Sequence, residues 1–152
     1  MKQLLSDLRQ TKLQTLKYFD LPEEDLAKRY ALGRWTVREL LNHIVDAETV
    51  LYERVKRILS EPKSVIWAYD QDAWSQALNY KTFPLKINKT IFLSVRAGVE
   101  HLVIQHYEKN GDIEFIHSEV GLRTLKDEFE KIAWHNQHHL NQIEKALDTK
   151  EK

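Results

Sequence analysis

Histidine is the residue type best able to do chemistry in this chain, and its seven copies are unevenly placed. Four of them lie in or just before the last helical segment: His117, His135, His138 and His139. Residues four apart on a helix share one face, so the imidazoles of His135 and His139 can chelate one metal ion. By itself, this spacing is a weak signal for a metal site, because a polar helix face that is rich in histidine gives it more often.

The register of this histidine pair favours a metal site. His135 follows Ile132 by three positions and His139 precedes Leu140, so both border the apolar stripe of the helix. A buried imidazole needs a polar partner, and a metal ion provides one for two imidazoles on the same face. Asn136 stands where the zinc-protease signature His-Glu-x-x-His has glutamate, so that signature and its built-in general base are absent.

His43 is a third candidate ligand, because it lies two turns into the second predicted helix, beside its apolar stripe. A lone histidine at such a position is more often a hydrogen-bonded core residue. His138 lies about 100° around the helix from His139, and we interpret it as a surface or interface residue. His101 and His106, in the third predicted helix, are expected to pack or to face solvent.

Apolar periodicity predicts four long amphipathic helices that position these histidines. They run from Lys2 to Tyr18, from Thr36 to just before Pro62, from about Leu85 to Lys109, and from Thr124 to a polar tail at Asp148 to Lys152. Thr36 with Glu39 and Thr124 with Asp127 have the spacing of helix-capping pairs. The inner face of the third helix is predicted to comprise Ile91, Val95, Val99, Leu102 and His106.

The connection between the second and third helices sets the topology. Neighbouring up-and-down helices need only about 2–8 linking residues, whereas this connection has roughly 25, with a short helix predicted near Gln71 to Leu78. A connection of that length crosses the bundle and leaves the two helices parallel. We therefore expect a single-domain, all-α four-helix bundle over residues 1–152, with no sheet of three or more strands.

Composition excludes several functions. The chain has no cysteine, so disulfides, thiolate ligands and a cysteine nucleophile are ruled out. Its 23 basic and 23 acidic residues give a formal net charge of zero, which argues against nucleic acid as a partner. The sequence has neither a recognisable signal peptide nor a membrane-length apolar run. We expect a cytoplasmic protein.

Three blocks of sequence, in order along nearly the whole chain, resemble the DinB and YfiT family. The first resembles the helix-two signature of that family and reads Trp35-Thr36-x2-Glu39-Leu40-Leu41-x-His43-Ile44. The middle block is Tyr69-Asp70-Gln71-Asp72-Ala73-Trp74, followed by Arg96 in the third helix. The last resembles the helix-four signature and reads His135-x2-His138-His139-x2-Gln142-Ile143.

The resemblance implies a four-helix bundle with this crossover and one bound divalent metal ion. The implied ligands are His43, His135 and His139, with His138 at a non-ligand position. Zinc, nickel and iron all accept imidazole, so the sequence leaves the metal open. The resemblance also implies a homodimer. Some family members resemble enzymes that transfer low-molecular-weight thiols such as bacillithiol or mycothiol, and others are named metal-dependent hydrolases.

Other polar residues have two interpretations each. Gln142 is expected to hydrogen-bond a ligand histidine or substrate, or else to bond between helices. Glu128 is a candidate outer carboxylate of the site, with an exposed charge as the alternative. Asp46 and Glu48 are candidates to orient His43 or act as a base, although acids are common in this chain. Arg96 is either an anion-binding residue or part of an interhelical salt bridge.

Residues outside the long helices are also candidates for the site. We expect the aromatic residues Trp67, Tyr69 and Trp74 to pack the crossover, with an apolar wall over the metal as the alternative. His117 reaches the site only if its connector folds over the mouth of the bundle.

Three functions follow from these observations. The first is a metal-dependent enzyme that acts on a small molecule, by hydrolysis or by transfer of a low-molecular-weight thiol. The second is a metal-binding sensor, and the third is a helical interaction module whose histidines bind metal only adventitiously. No catalytic residue beyond the metal ligands is assigned.

Overall fold

The computed structural model describes residues 1–61 and 63–148. Its helices are α1 (Lys2–Tyr18), α2 (Glu23–Leu26), α3 (Val37–Ser60), α4 (Gln71–Ala77), α5 (Leu85–Asn110) and α6 (Leu125–Asp148). Helices α1, α3, α5 and α6 match the four long helices predicted, and α4 matches the short one. Pro62 and residues 149–152 of the predicted polar tail lie outside the described residues. No helix in the described ranges combines the length and apolar character needed to cross a membrane.

The four long helices form a bundle in which α3 and α5 run parallel. Asn88 Nδ2 donates to Asn42 Oδ1 at 2.8 Å, and further along both helices Arg96 Nη2 donates to Glu48 Oε2, also at 2.8 Å. Contacts that advance in the same direction along two helices require parallel axes. The predicted crossover between the second and third long helices is therefore confirmed, and α4 lies within it.

Capping interactions determine where α3 and α6 begin. Glu39 N donates to Thr36 Oγ1 at 3.1 Å, and Thr36 N donates to the Glu39 carboxylate at 2.7 Å, which completes the predicted capping box. Thr124 N donates to Asp127 Oδ2 at 2.8 Å in the equivalent arrangement before α6. Each pair satisfies backbone N–H groups that the first turn leaves free. These two starts fix the register of the histidines on both helices.

The apolar core is divided in two by a layer of buried polar side chains. One apolar cluster includes Leu8, Leu51, Val99 and Phe129. The other includes Phe19, Val45, Phe92 and Ile143. The polar layer includes Thr11, Thr15, Glu48, Arg96, Asn136 and His139. On every long helix the polar residues fall between the two apolar groups in sequence, so the layer crosses the bundle near its middle.

Arg96 lies at the centre of this layer and is completely buried. Its guanidinium forms an ion pair with Glu48 through two nitrogens. Nη1 donates to the Leu8 carbonyl at 2.6 Å and to Thr11 Oγ1 at 2.9 Å, and Nη2 donates to Asn136 Oδ1 at 2.9 Å. Of the two interpretations of Arg96, the structure therefore supports the interhelical salt bridge, because protein acceptors already occupy the guanidinium.

The predicted inner face of the third long helix was correct in part, because Val99 is fully buried and Val95 and Leu102 pack against the core. The residues of α5 that are buried include Phe92, Arg96, Val99 and Val103, whereas Ile91 is 37% exposed. His106 is half-buried and its Nδ1 lies 2.9 Å from Asn110 Oδ1. Arg96 lies in the middle of the buried stripe of α5, so a pattern that counts only apolar residues does not identify this face.

A small three-stranded sheet contradicts the expectation that no such sheet is present. Its strands are β1 (Val65–Ile66), β2 (Glu114–His117) and β3 (Gly121–Thr124). β1 pairs parallel with β2, and β2 pairs antiparallel with β3 through a turn in which Gly121 has φ 76°. Strands of two to four residues are too short to show alternating hydrophobicity. The sheet joins the crossover to the segment before α6 and leaves the bundle intact.

The buried ion pair predicts a large stability effect. Glu48→Gln keeps the shape of the side chain but leaves the Arg96 charge unpaired, so we expect the free energy of unfolding to fall by about 3–5 kcal/mol. Glu53→Gln is the matched control, because Glu53 lies on the same helix and pairs with Arg57 at the surface. We expect little change there. Urea unfolding followed by circular dichroism measures both; equal effects would contradict the role assigned to the buried pair.

Candidate metal centre

The three predicted ligands converge on one point between α3 and α6. His43 Nε2 and His139 Nε2 each lie 3.1 Å from His135 Nε2, and the three ligand atoms lie within 4.8 Å of one another. The spacing of four residues places His135 and His139 on one face of α6, and α3 packs against that face with His43. The structure thus brings together the three histidines that the sequence indicated.

The arrangement fits a metal ion better than it fits hydrogen bonding alone. A neutral imidazole has a single N–H, so a proton on His135 Nε2 can satisfy only one of its two neighbours. Two nitrogens bound tetrahedrally at about 2.0–2.1 Å lie roughly 3.3 Å apart, which is close to the observed 3.1 Å. Three converging imidazole nitrogens are also the donor type that zinc, nickel and iron accept.

Burial keeps all three imidazoles neutral. Burial, with a smaller contribution from neighbouring imidazoles, lowers the pKa of His43 to about 3, of His135 to about 2 and of His139 to about 4, although the Gln142 hydrogen bond opposes the shift at His139. Near pH 7 the three rings therefore carry free lone pairs without first releasing protons. Neutral rings are the form that binds metal.

Gln142 fixes the tautomer of His139. His139 Nδ1 donates to Gln142 Oε1 at 2.8 Å, which leaves the lone pair on Nε2 directed toward the other two histidines. Gln142 Nε2 in turn lies 3.1 Å from His138 Nε2. The prediction that Gln142 bonds a candidate ligand is confirmed. His138 itself is exposed and stacks on Trp134, as expected for a residue outside the triad.

Trp35 covers His43, a role that sequence reasoning missed. The two ring centroids are 4.8 Å apart, and His43 is fully buried. The signal that could have revealed this contact is the position of Trp35, eight residues before His43 in the sequence. His43 Nδ1 is buried and has no hydrogen-bond partner among the residues the structure describes.

The acidic residues near His43 have other partners. Asp46 accepts a hydrogen bond from the Tyr80 hydroxyl, and Glu48 pairs with Arg96. Burial raises the pKa of Asp46, and the Tyr80 hydrogen bond opposes that rise. Neither carboxylate hydrogen-bonds His43, so the suggestion that they orient it was wrong.

Two cavities flank the triad, one on the side of each α6 ligand. The His135 cavity has a volume of about 160 Å³ and is lined by Arg54, Tyr69, Gln71, His117, Lys131 and His135, among others. The His139 cavity has a volume of about 420 Å³ and is lined by Arg34, Trp35, Gln71, Asp72, His139 and Gln142, among others. Gln71, the first residue of α4, lines both. The crossover therefore passes over the mouth of the site.

The residues around the His135 cavity settle three further expectations. His117 is buried on β2 and lines this cavity, although it lies outside the triad. Glu128 was expected to be exposed or to support the site; it is instead 3% exposed and pairs with Arg54 at 3.4 Å. Tyr69 walls the cavity, whereas Trp67 is 76% exposed and does not pack the crossover as predicted.

Comparison with known proteins identifies the family. A model of the DinB superfamily matches residues 7–143. The chain belongs to the DinB superfamily. An Oceanobacillus iheyensis protein named "putative metal-dependent hydrolase" is 30% identical over 84% of this chain and 73% of its own length. A Halalkalibacterium halodurans protein of the same name is 26% identical over 84% of this chain and 74% of its own length.

A solved structure confirms the DinB fold. YfiT from Bacillus subtilis, described as "a probable metal-dependent hydrolase with an unusual four-helix bundle topology", superposes with a TM-score of 0.86. The match covers 94% of this chain and 83% of YfiT at 23% sequence identity. The predicted resemblance and the predicted four-helix bundle are both confirmed.

The geometry of this DinB-like triad predicts which histidines bind metal. Loss of a residue that only supports a ligand typically costs about 10–100-fold in affinity, so we expect His43→Ala, His135→Ala and His139→Ala each to cost more. His138→Ala, on the exposed side of α6, should leave affinity unchanged. Zinc competition against a chromophoric chelator, with untagged protein, measures this. If His138→Ala abolishes binding and His139→Ala spares it, the assigned register of α6 is wrong.

The hydrogen bond from His139 to Gln142 predicts a smaller effect. Gln142→Ala removes the acceptor that holds the His139 tautomer, so we expect zinc affinity to fall by about 10–100-fold. Gln137→Ala is the matched control, because Gln137 lies on the same helix and donates to Asn141 at the surface. The same zinc competition distinguishes the two variants. Unchanged affinity in Gln142→Ala would show that the triad does not need this support.

Proposed function

We propose that this DinB-family chain is a metal-dependent enzyme that acts on a small molecule, by hydrolysis or by transfer of a low-molecular-weight thiol. The observation that carries the proposal is the triad itself: the described cluster of ligand atoms consists of three neutral imidazoles. Structural zinc sites are usually closed by four protein ligands, whereas catalytic sites keep a position open. Three neutral ligands also leave the charge of a divalent ion undiminished.

A divalent ion at this site supplies Lewis acidity, which makes water or a thiol a nucleophile near neutral pH. The chain's own residues prepare the site for that role. Gln142 holds the lone pair of His139 toward the centre, and Trp35 covers His43. Asn136 cannot act as the general base of a zinc protease, and it bonds Arg96 in the polar layer. The proposal therefore needs no dedicated base from the protein.

Hydrolysis and thiol transfer are supported by different observations. The names of the relatives from Oceanobacillus iheyensis and Halalkalibacterium halodurans favour hydrolysis. The two cavities favour transfer, because a thiol and its acceptor need separate places that meet at the reacting centre. Each cavity is lined by one histidine of the triad, His135 or His139, and Gln71 lines both. The chain has no cysteine, so any thiol must be a cosubstrate.

The identity of the metal and the partners are part of the proposal. Zinc, nickel and iron all suit three imidazoles, and elemental analysis of protein purified without a histidine tag distinguishes them. The small-molecule substrate, the homodimer and the absence of a nucleic-acid partner stay predictions.

Activity is tested on protein loaded separately with zinc, nickel, manganese or iron. We expect turnover in ester hydrolysis or in conjugation of a thiol to an electrophile for at least one metal. The activity should disappear in His135→Ala, which loses a ligand, and persist in His138→Ala. If no metal form exceeds the His135→Ala background across a broad substrate panel, the site serves metal binding or sensing without catalysis.

A further inference from the structure

The His135 cavity contains hydrogen-bond donors and positive charge that the protein itself does not use. Its lining includes two cations, Arg54 and Lys131, and one carboxylate, Glu119, which is exposed. Arg54 is largely satisfied, since it donates to the Trp67 carbonyl at 2.7 Å and pairs with buried Glu128. The unused donors belong to other residues of the wall.

Lys131 provides the unpaired charge. It lies on α6 one turn before His135, and its ammonium lowers the pKa of both His135 and His117. Lys131 lines the His135 cavity together with His117 of β2 and His135 itself. Within residues 1–61 and 63–148, no carboxylate lies within 4.0 Å of its ammonium, whereas Lys126 on the same helix pairs with Asp112 at 3.1 Å.

His117 provides a donor without an acceptor. The backbone N–H of Glu119 donates to His117 Nδ1 at 3.2 Å, so the proton of the neutral ring must lie on Nε2. That Nε2–H faces Arg54 Nη1 at 3.5 Å, which is itself a donor. Arg54 Nη1 also donates to Glu128 at 3.4 Å, so His117 Nε2–H is the donor that lacks an acceptor among the described residues.

Tyr69 supplies a third donor from the crossover side. Its ring packs against Trp74 at 5.0 Å between centroids, which orders this part of the chain above the cavity. Its hydroxyl makes no hydrogen bond within the described part of the protein. Burial raises the pKa of Tyr69 well above its ordinary value, so the hydroxyl stays protonated and able to donate.

We propose that the His135 cavity binds a small anionic group of the substrate, a carboxylate or a phosphate, through Lys131, His117 and Tyr69. The substrate would then carry an anion at one end and place its reacting group at the histidine triad. A negatively charged acceptor satisfies all three donors, and charge-assisted hydrogen bonds are stronger than neutral ones. This proposal rests on the proposed function only in assigning the anion to a substrate.

Calorimetric titration of the zinc-loaded protein with succinate tests the subsite directly. We expect succinate to bind the wild type about tenfold or more tightly than Lys131→Gln, because a hydrogen bond to a charged group is lost. Lys126→Gln is the matched control and should bind as the wild type does. Tyr69→Phe removes only a hydroxyl and should give a smaller loss. Succinamide, which is neutral, should not bind; titration with inorganic phosphate distinguishes phosphate from carboxylate.

The possible results of this titration test the anion subsite separately from the proposed enzymatic function. Equal succinate binding by the wild type and Lys131→Gln, or equal binding of succinate and succinamide, overturns the anion subsite even if the enzyme is active. Succinate binding that depends on Lys131, in a protein that turns over no ester or thiol, supports the subsite and removes the enzymatic role. Zinc affinity measured on Lys131→Gln confirms that the triad is unaffected by the change.

Discussion

The buried ion pair between Arg96 and Glu48 is the constraint around which the bundle is arranged. One guanidinium on α5 bonds Glu48 on α3, a carbonyl and a hydroxyl on α1, and Asn136 on α6. A buried charge that loses its partner lowers the stability of the fold. The four helices must therefore keep the axial positions at which these contacts form. Apolar packing alone tolerates small sliding of helices, whereas this network does not.

The histidine triad borders the Arg96 network of this polar layer, because His135 and His139 flank Asn136 on α6 and His43 lies five residues before Glu48 on α3. Asn136 directly follows His135 and bonds both Arg96 and Thr15, so the ligand-bearing turn of α6 is held from a neighbouring face. The apolar clusters above and below the layer exclude water and depress the pKa of the histidines through burial. The residues that fix the axial positions of the helices therefore also fix the arrangement of the three imidazoles that a metal ion requires.

Much of this could be predicted from the sequence, and the failures have physical causes. The four helices and their caps follow from local patterns, and the triad follows from spacing together with the family resemblance. The partner of Glu128 is Arg54, 74 residues away, and no local pattern indicates such a pair. The short strands fall below the length that periodicity can detect, and Arg96 hides the inner face of α5. Each failure involves a long-range contact or a buried charge.

The three candidate ligands lie on long helices, whereas several residues that line the His135 cavity lie on the crossover and on a short strand. The three histidines lie on α3 and α6, whose registers are fixed by capping pairs and by the polar layer. Tyr69 and Gln71 come from the crossover, and His117 from β2, which pairs with the crossover strand β1. The pairing of β1 with β2 thus holds the crossover next to β2, and both carry residues that line the His135 cavity. These walls of the cavity therefore depend on the short paired segments, whereas the positions of the three histidines depend on the long helices.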